Sequence, residues 1–136
     1  MTFGLAMRWM ALGVFVGLLG CGGRSLPTAK VSGKVSYKGM PLPAGTITFL
    51  PDSGRPGYGK IVNGEIKDVS TMSENDGAPL GSNTVTIQSI EESGKQDMYA
   101  VPKSLIPERY SDPAKSGLTA DIKAGGPNEF TFDLKE

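Results

Sequence analysis

The chain has 136 residues, with 14 basic and 14 acidic side chains, one cysteine, no histidine, 19 glycines and 10 prolines. The missing histidine excludes a Ser-His-Asp triad, a Cys-His pair and an imidazole metal ligand, and the single cysteine excludes an internal disulfide and a Cys-rich zinc site. A formal charge of zero argues against nucleic acid as a partner, which needs a clustered basic surface.

The first twenty residues carry one charge, Arg8, and 14 of the chain's 52 hydrophobic side chains. From Trp9 to Leu19 the run is apolar apart from Gly13 and Gly17. A bilayer-spanning helix needs roughly 20 apolar residues. This run is shorter, follows a positive charge and ends in a small residue, so residues 1–20 read as a secretory signal. The run closes Leu18-Leu19-Gly20-Cys21. That ending resembles the lipobox of bacterial lipoproteins, with Leu three residues before the cysteine and a small residue immediately before it. Leu19 departs mildly, since that position more often carries a small residue. The resemblance implies a diacylglycerol on the Cys21 thiol, cleavage between Gly20 and Cys21, and acylation of the new amino group. The expected location is outside the cytoplasm, anchored to a bacterial cell-envelope membrane through lipidated Cys21.

Without residues 1–20 the chain keeps 116 residues, 13 of them basic and 14 acidic, and no tryptophan. That is enough for one domain of ordinary size and too little for two. Residues 21–29 are small and polar and read as a tether, leaving residues 30–136 as the domain.

Within the domain, alternation dominates. Val31, Gly33, Val35 and Tyr37 fall on one face, with Ser32, Lys34, Ser36 and Lys38 on the other, the period-2 signature of a half-buried strand. Gly39 to Pro43 turns the chain, because proline cannot donate to a sheet ladder. Thr46–Leu50 is a second strand, ended by Pro51-Asp52-Ser53-Gly54. Residues 59–62 and 65–69 flank Asn63-Gly64, a pair favoured where both central residues of a hairpin turn need positive φ. Asp76 to Gly81 is a further turn-rich connection. Val85 and Ile87 alternate with Thr84, Thr86 and Gln88 in a strand that reaches toward Ile90. Leu118-Ala120-Ile122 and Phe130-Phe132-Leu134 form the last two alternating runs, linked by Gly125-Gly126-Pro127-Asn128. About seven short strands and no convincing helix predict an all-β, antiparallel sandwich with these apolar residues between its layers.

Residues 91–117 break the strand rhythm and are long for a loop. The stretch from Glu91 to Asp97 is polar. Leu105, Ile106 and Tyr110 are too apolar for a free loop, so they are expected to pin it to the sandwich through a short 3-10 turn.

The segment Val31-Ser32-Gly33-Lys34-Val35, followed by Gly39-Met40-Pro41-Leu42-Pro43-Ala44-Gly45-Thr46-Ile47-Thr48-Phe49, resembles the opening of carboxypeptidase regulatory-like domains. Ala44-Gly45 stands where that family usually has Gly-Ala. The stretches Asp76 to Gly81, Leu105 to Tyr110 and Ser116 to Thr119 are similar to small bacterial lipoproteins that carry this domain. The resemblance implies a single transthyretin-like or Ig-like β-sandwich. It also implies an accessory, binding or structural role without a reaction of its own. The related transthyretin-like hydrolases rely on histidines, which this chain lacks.

Candidate sites are few. Asp52, Glu74, Asp76, Asp97 and Asp112 offer the oxygen ligands calcium takes, yet none has EF-hand spacing. Most sit beside Gly, Pro or Ser, where an Asp side chain bonds local amides, so turn capping is expected and neither a metal nor a cofactor. No serine lies in G-x-S-x-G, and Ser32, Ser36, Ser89 and Ser93 are not followed by lysine three residues later, so no catalytic residue and no enzyme activity is expected. Tyr58, Tyr99 and Tyr110 lie outside clear strand interiors, with Arg55, Lys103 and Arg109 near them in sequence. Mixed Tyr/Arg surfaces suit protein partners. The surface around Tyr99, Arg109 and Tyr110 is therefore the candidate contact for an envelope protein or, alternatively, a glycan. The plainer reading makes Tyr99 and Tyr110 loop anchors.

Overall fold

In the computed structural model, which describes residues 27–91, 99 and 101–136, the alternating segments become strands of one long curled sheet. The described residues form ten strands: β1 (Thr28–Ala29), β2 (Ser32–Tyr37), β3 (Met40–Pro41), β4 (Ala44–Pro51), β5 (Gly57–Val62), β6 (Glu65–Ser70), β7 (Ala78–Pro79), β8 (Gly81–Gln88), β9 (Leu118–Ile122) and β10 (Glu129–Leu134). The fold is all-β, as the alternation predicts. The main sheet runs β10-β2-β6-β5-β4-β8-β9, with β3 added on β2, and β1 pairs separately with β7.

Its two end strands, β9 and β10, contribute Ala120, Ile122, Phe132 and Leu134 to the same buried cluster as Val35, Ile47, Phe49, Ile61, Val85 and Ile87. The sheet therefore curls until its halves face each other, and the inward side of every alternating strand meets in one core. All neighbours are antiparallel except β10 and β2, which run parallel with Glu129 opposite Ser32 and Leu134 opposite Tyr37. Parallel neighbours need a long crossover. Here almost the whole domain lies between them.

Among the described residues, two turns have both central residues in the left-handed region that tight hairpins require. Asn63 and Gly64, at φ 50° and 78°, join β5 to β6 as expected. The chain also reverses at Lys38 and Gly39, at φ 51° and 77°, earlier than the expected Gly39–Pro43 turn. Met40 and Pro41 then pair back onto Tyr37 and Ser36 before the chain enters β4.

β6 shows why a run can look like a strand without alternating cleanly. Ile66 and Val69 are both buried, though three residues apart. A strict pleat would send them to opposite faces. A β-bulge between β5 and β6 inserts one extra residue, and Asp68 takes φ 55° there. The inserted residue returns Val69 to the core side.

The long 91–117 segment is only partly a loop. Glu91 N–H donates to Lys103 O (2.8 Å) and Leu105 N–H to Ser89 O (2.9 Å), so 103–105 extends the ladder at the end of β8. A 3-10 turn follows at Glu108–Ser111. Ile106 and Tyr110 are buried, whereas Leu105 is 44% exposed. Two of the three expected anchors therefore pin the segment, and Leu105 stays at the surface.

Candidate functional site

Tyr110, on the 3-10 turn, places its ring in the core and its hydroxyl against the end of β10. The hydroxyl donates to Lys135 O (3.0 Å) and accepts from Lys135 N–H (2.8 Å) and from Arg109 Nη2 (3.0 Å). Burial raises the pKa of this phenol, but the Lys135 amide and the Arg109 guanidinium together outweigh it and bring it below the ordinary value. Arg109 also donates to Lys135 O (2.8 Å) and Glu136 O (3.1 Å), and its guanidinium carbon lies 4.7 Å from the Tyr110 ring centre. These contacts satisfy two of the last backbone carbonyls and close the seam between the end of β8 and the end of β10. Arg109 and Tyr110 thus form a structural clamp.

Tyr99 differs. It is 89% exposed, and its neighbour Val101 is 90% exposed. The three expected contact residues therefore separate into a clamp, Arg109 with Tyr110, and an exposed ring at Tyr99. Tyr58 also faces outward, from β5, opposite Thr48 and Ser70. The carbonyls that Tyr110 and Arg109 grip at Lys135 and Glu136 could not be read from the sequence. They are backbone atoms, and no side-chain pattern marks them.

Beside the clamp lies a cleft of about 440 Å³, lined by Gln88, Ile90, Pro102, Ser104, Glu108, Arg109, Ser111, Asp112 and Lys115. Many of its polar groups bond locally. Ser104 Oγ donates to Ile106 O (2.6 Å), Ser111 Oγ donates to Glu108 O (2.7 Å), and Asp112 Oδ1 accepts from Ala114 N–H (2.9 Å). Elsewhere, Ser89 Oγ donates to Ala44 O (2.7 Å) and Ser36 Oγ to Asp133 Oδ1 (3.0 Å). The Ser36 partner is a carboxylate at the surface and the Ser89 partner is a backbone carbonyl.

Two of the named carboxylates, Asp76 and Asp112, cap turns. Asp76 accepts three successive amides: Thr71 N–H at 2.6 Å, Met72 N–H at 2.9 Å and Ser73 N–H at 3.0 Å. Among the described residues no three Asp, Glu, Cys or His side chains cluster as metal ligands. Asp97 and Cys21 lie outside the described residues.

Burial alone raises the Asp76 pKa. The Thr71, Ser73 and Met72 amides outweigh it, so the net value falls below the ordinary 3.8. A depressed folded-state pKa stabilises the fold above the unfolded value, and the contribution is lost as pH falls through the folded value. Asp76→Ala is expected to cost about 1–2 kcal/mol at neutral pH, the scale of a lost cap with charged hydrogen bonds. The gap between wild type and variant should narrow below pH 3.8 as the wild-type carboxylate protonates. Urea titrations at pH 7 and pH 3 check this, and a gap that does not shrink in acid would contradict the capping role.

Compared with family models, curated proteins and solved structures, the chain finds no match.

Proposed function

We propose that this chain is a lipid-anchored cell-envelope protein whose β-sandwich is a non-catalytic binding or structural module. The observation that carries the reading is the order Leu18-Leu19-Gly20-Cys21 behind one positive charge and a short apolar run. The first described hydrogen-bonded residue, Pro27, follows only six positions after Cys21. Each buried methylene contributes about 0.8 kcal/mol, and two or more acyl chains anchor stably. The domain itself then needs no membrane affinity. The resemblance of residues 31–49 to carboxypeptidase regulatory-like domains supports the module reading. The exposed Tyr99 and Val101 supply the contact surface in this proposal.

Detergent-phase extraction of expressing cells, followed by mass spectrometry of the N-terminal peptide, tests the anchor. The expected peptide begins at Cys21 and carries acyl chains, and Cys21→Ala abolishes both the cleavage and the added mass. An unmodified Cys21 in the aqueous phase would sink the reading.

A further inference from the structure

Strand directions sort the connections into two ends of the sheet. At the first lie β1, the β4–β5 loop, the Thr71–Gly77 loop and the β9–β10 connection. At the second lie the Lys38–Gly39 and Asn63–Gly64 turns, the 102–117 segment and Glu136.

The chain that follows Cys21 enters at the first end and is fastened there. Pro27 O accepts Leu80 N–H (3.0 Å), Thr28 and Ala29 pair with Pro79 and Ala78, and Lys30 Nζ donates to the Asn75 carbonyl. Six Cα steps separate Cys21 from Pro27, a reach of at most about 20–22 Å in any conformation. β8 alone has eight residues. Its seven Cα steps, at roughly 3.4 Å each, span about 24 Å, and the Ile90–Ser104 bridge lies two residues further on. The connection is therefore too short to run past the sheet and set the second end against the lipid.

We propose that the short connection holds the first end of the sheet, with its Thr71–Gly77 loop, against the membrane surface, and turns the second end away from it. This rests on the lipid-anchor reading and adds to it an orientation for the domain. The orientation has a consequence for contacts. Of the eight large hydrophobic side chains exposed among the described residues, Met40, Val62, Ile90 and Leu105 lie at the second end, and Tyr99 and Val101 fall in the stretch between Glu91 and Lys103, which pair with each other at that end. Met72 is the one at the first end, and Tyr58 lies on the sheet face. The exposed apolar surface thus faces away from the bilayer.

The test uses the full lipoprotein purified from membranes. The chain has one cysteine, at the lipidation position, so an introduced cysteine is the only free thiol. Met72→Cys and Met40→Cys change exposed side chains at opposite ends. Each variant is labelled with a fluorophore and reconstituted into phosphatidylcholine–phosphatidylglycerol vesicles that carry a quencher on the lipid headgroup. The expected result is strong quenching at position 72 and little at position 40. Equal quenching, or stronger quenching at position 40, in protein that floats with the vesicles overturns the orientation alone. Protein that does not float with the vesicles overturns the anchor, and the orientation with it.

Discussion

Gly77→Ala is expected to lower stability by at least about 3 kcal/mol, from a disfavoured backbone conformation plus a steric clash. Gly77 has φ 97°, and a Cβ there would lie 1.9 Å from Ala29 O and 2.4 Å from Ala29 C. Both atoms are backbone, so no side-chain rotation relieves the contact. The β1–β7 pairing would have to open, releasing the Leu80 N–H bond to Pro27 O. A loss of this size corresponds to a fall in Tm on the order of 12–20 °C for a domain of this length. Circular dichroism melting measures the fall, and hydrogen exchange should show early loss of protection at the Leu80 amide. A Tm within about 2 °C of wild type, against several degrees per kcal/mol, would show that Gly77 does not sit against β1.

Phe49→Ala is expected to cost about 3–5 kcal/mol, the range for deleting a buried aromatic ring and leaving a cavity. Phe49 is fully buried on the inward side of β4, between Gly57 of β5 and Val85 of β8. Gly57 has no side chain to move into the space, and Val85 is too short to fill it. Domains of this kind have about 5–15 kcal/mol of total stability, so the change consumes a large share of it. Urea unfolding should show a lower midpoint at an unchanged slope. A loss below about 1 kcal/mol would mean that Phe49 is not a central core residue.

The strand pattern was legible because alternation is a local property. Val35, Ile47, Phe49, Ile61, Val85, Ile87, Ala120, Ile122, Phe132 and Leu134 are all buried, as their alternating positions require. The turn at Asn63-Gly64 was legible for the same reason, since both residues accept positive φ. The Lys38–Gly39 turn was less visible, because lysine carries no preference for that conformation. The neighbouring contacts compensate: Lys38 N–H donates to Leu134 O (3.2 Å), and its ammonium pairs with Glu136.

The candidate site was legible only in part. Tyr110 and Ile106 stood out as apolar residues in a polar segment, and both are buried. Tyr99 looked similar in sequence, yet it is exposed. What allows Tyr110 to bury is the backbone it meets. Tyr110 meets the amide and carbonyl of Lys135, which satisfy its hydroxyl and let its ring bury.

By itself the sequence determined the all-β class, most strand positions, the Asn63–Gly64 hairpin and the turn capping by Asp76 and Asp112. These depend on side-chain periodicity and on φ preferences that act within a few residues. Only the tertiary structure decided the parallel β10–β2 pairing, the β1–β7 fastening, the bulge at Asp68 and the Tyr110 clamp on Lys135. Each of these depends on backbone groups that meet only when strands distant in sequence are brought side by side. Every residue carries the same amide and carbonyl, so no local pattern of side chains records which of them will meet.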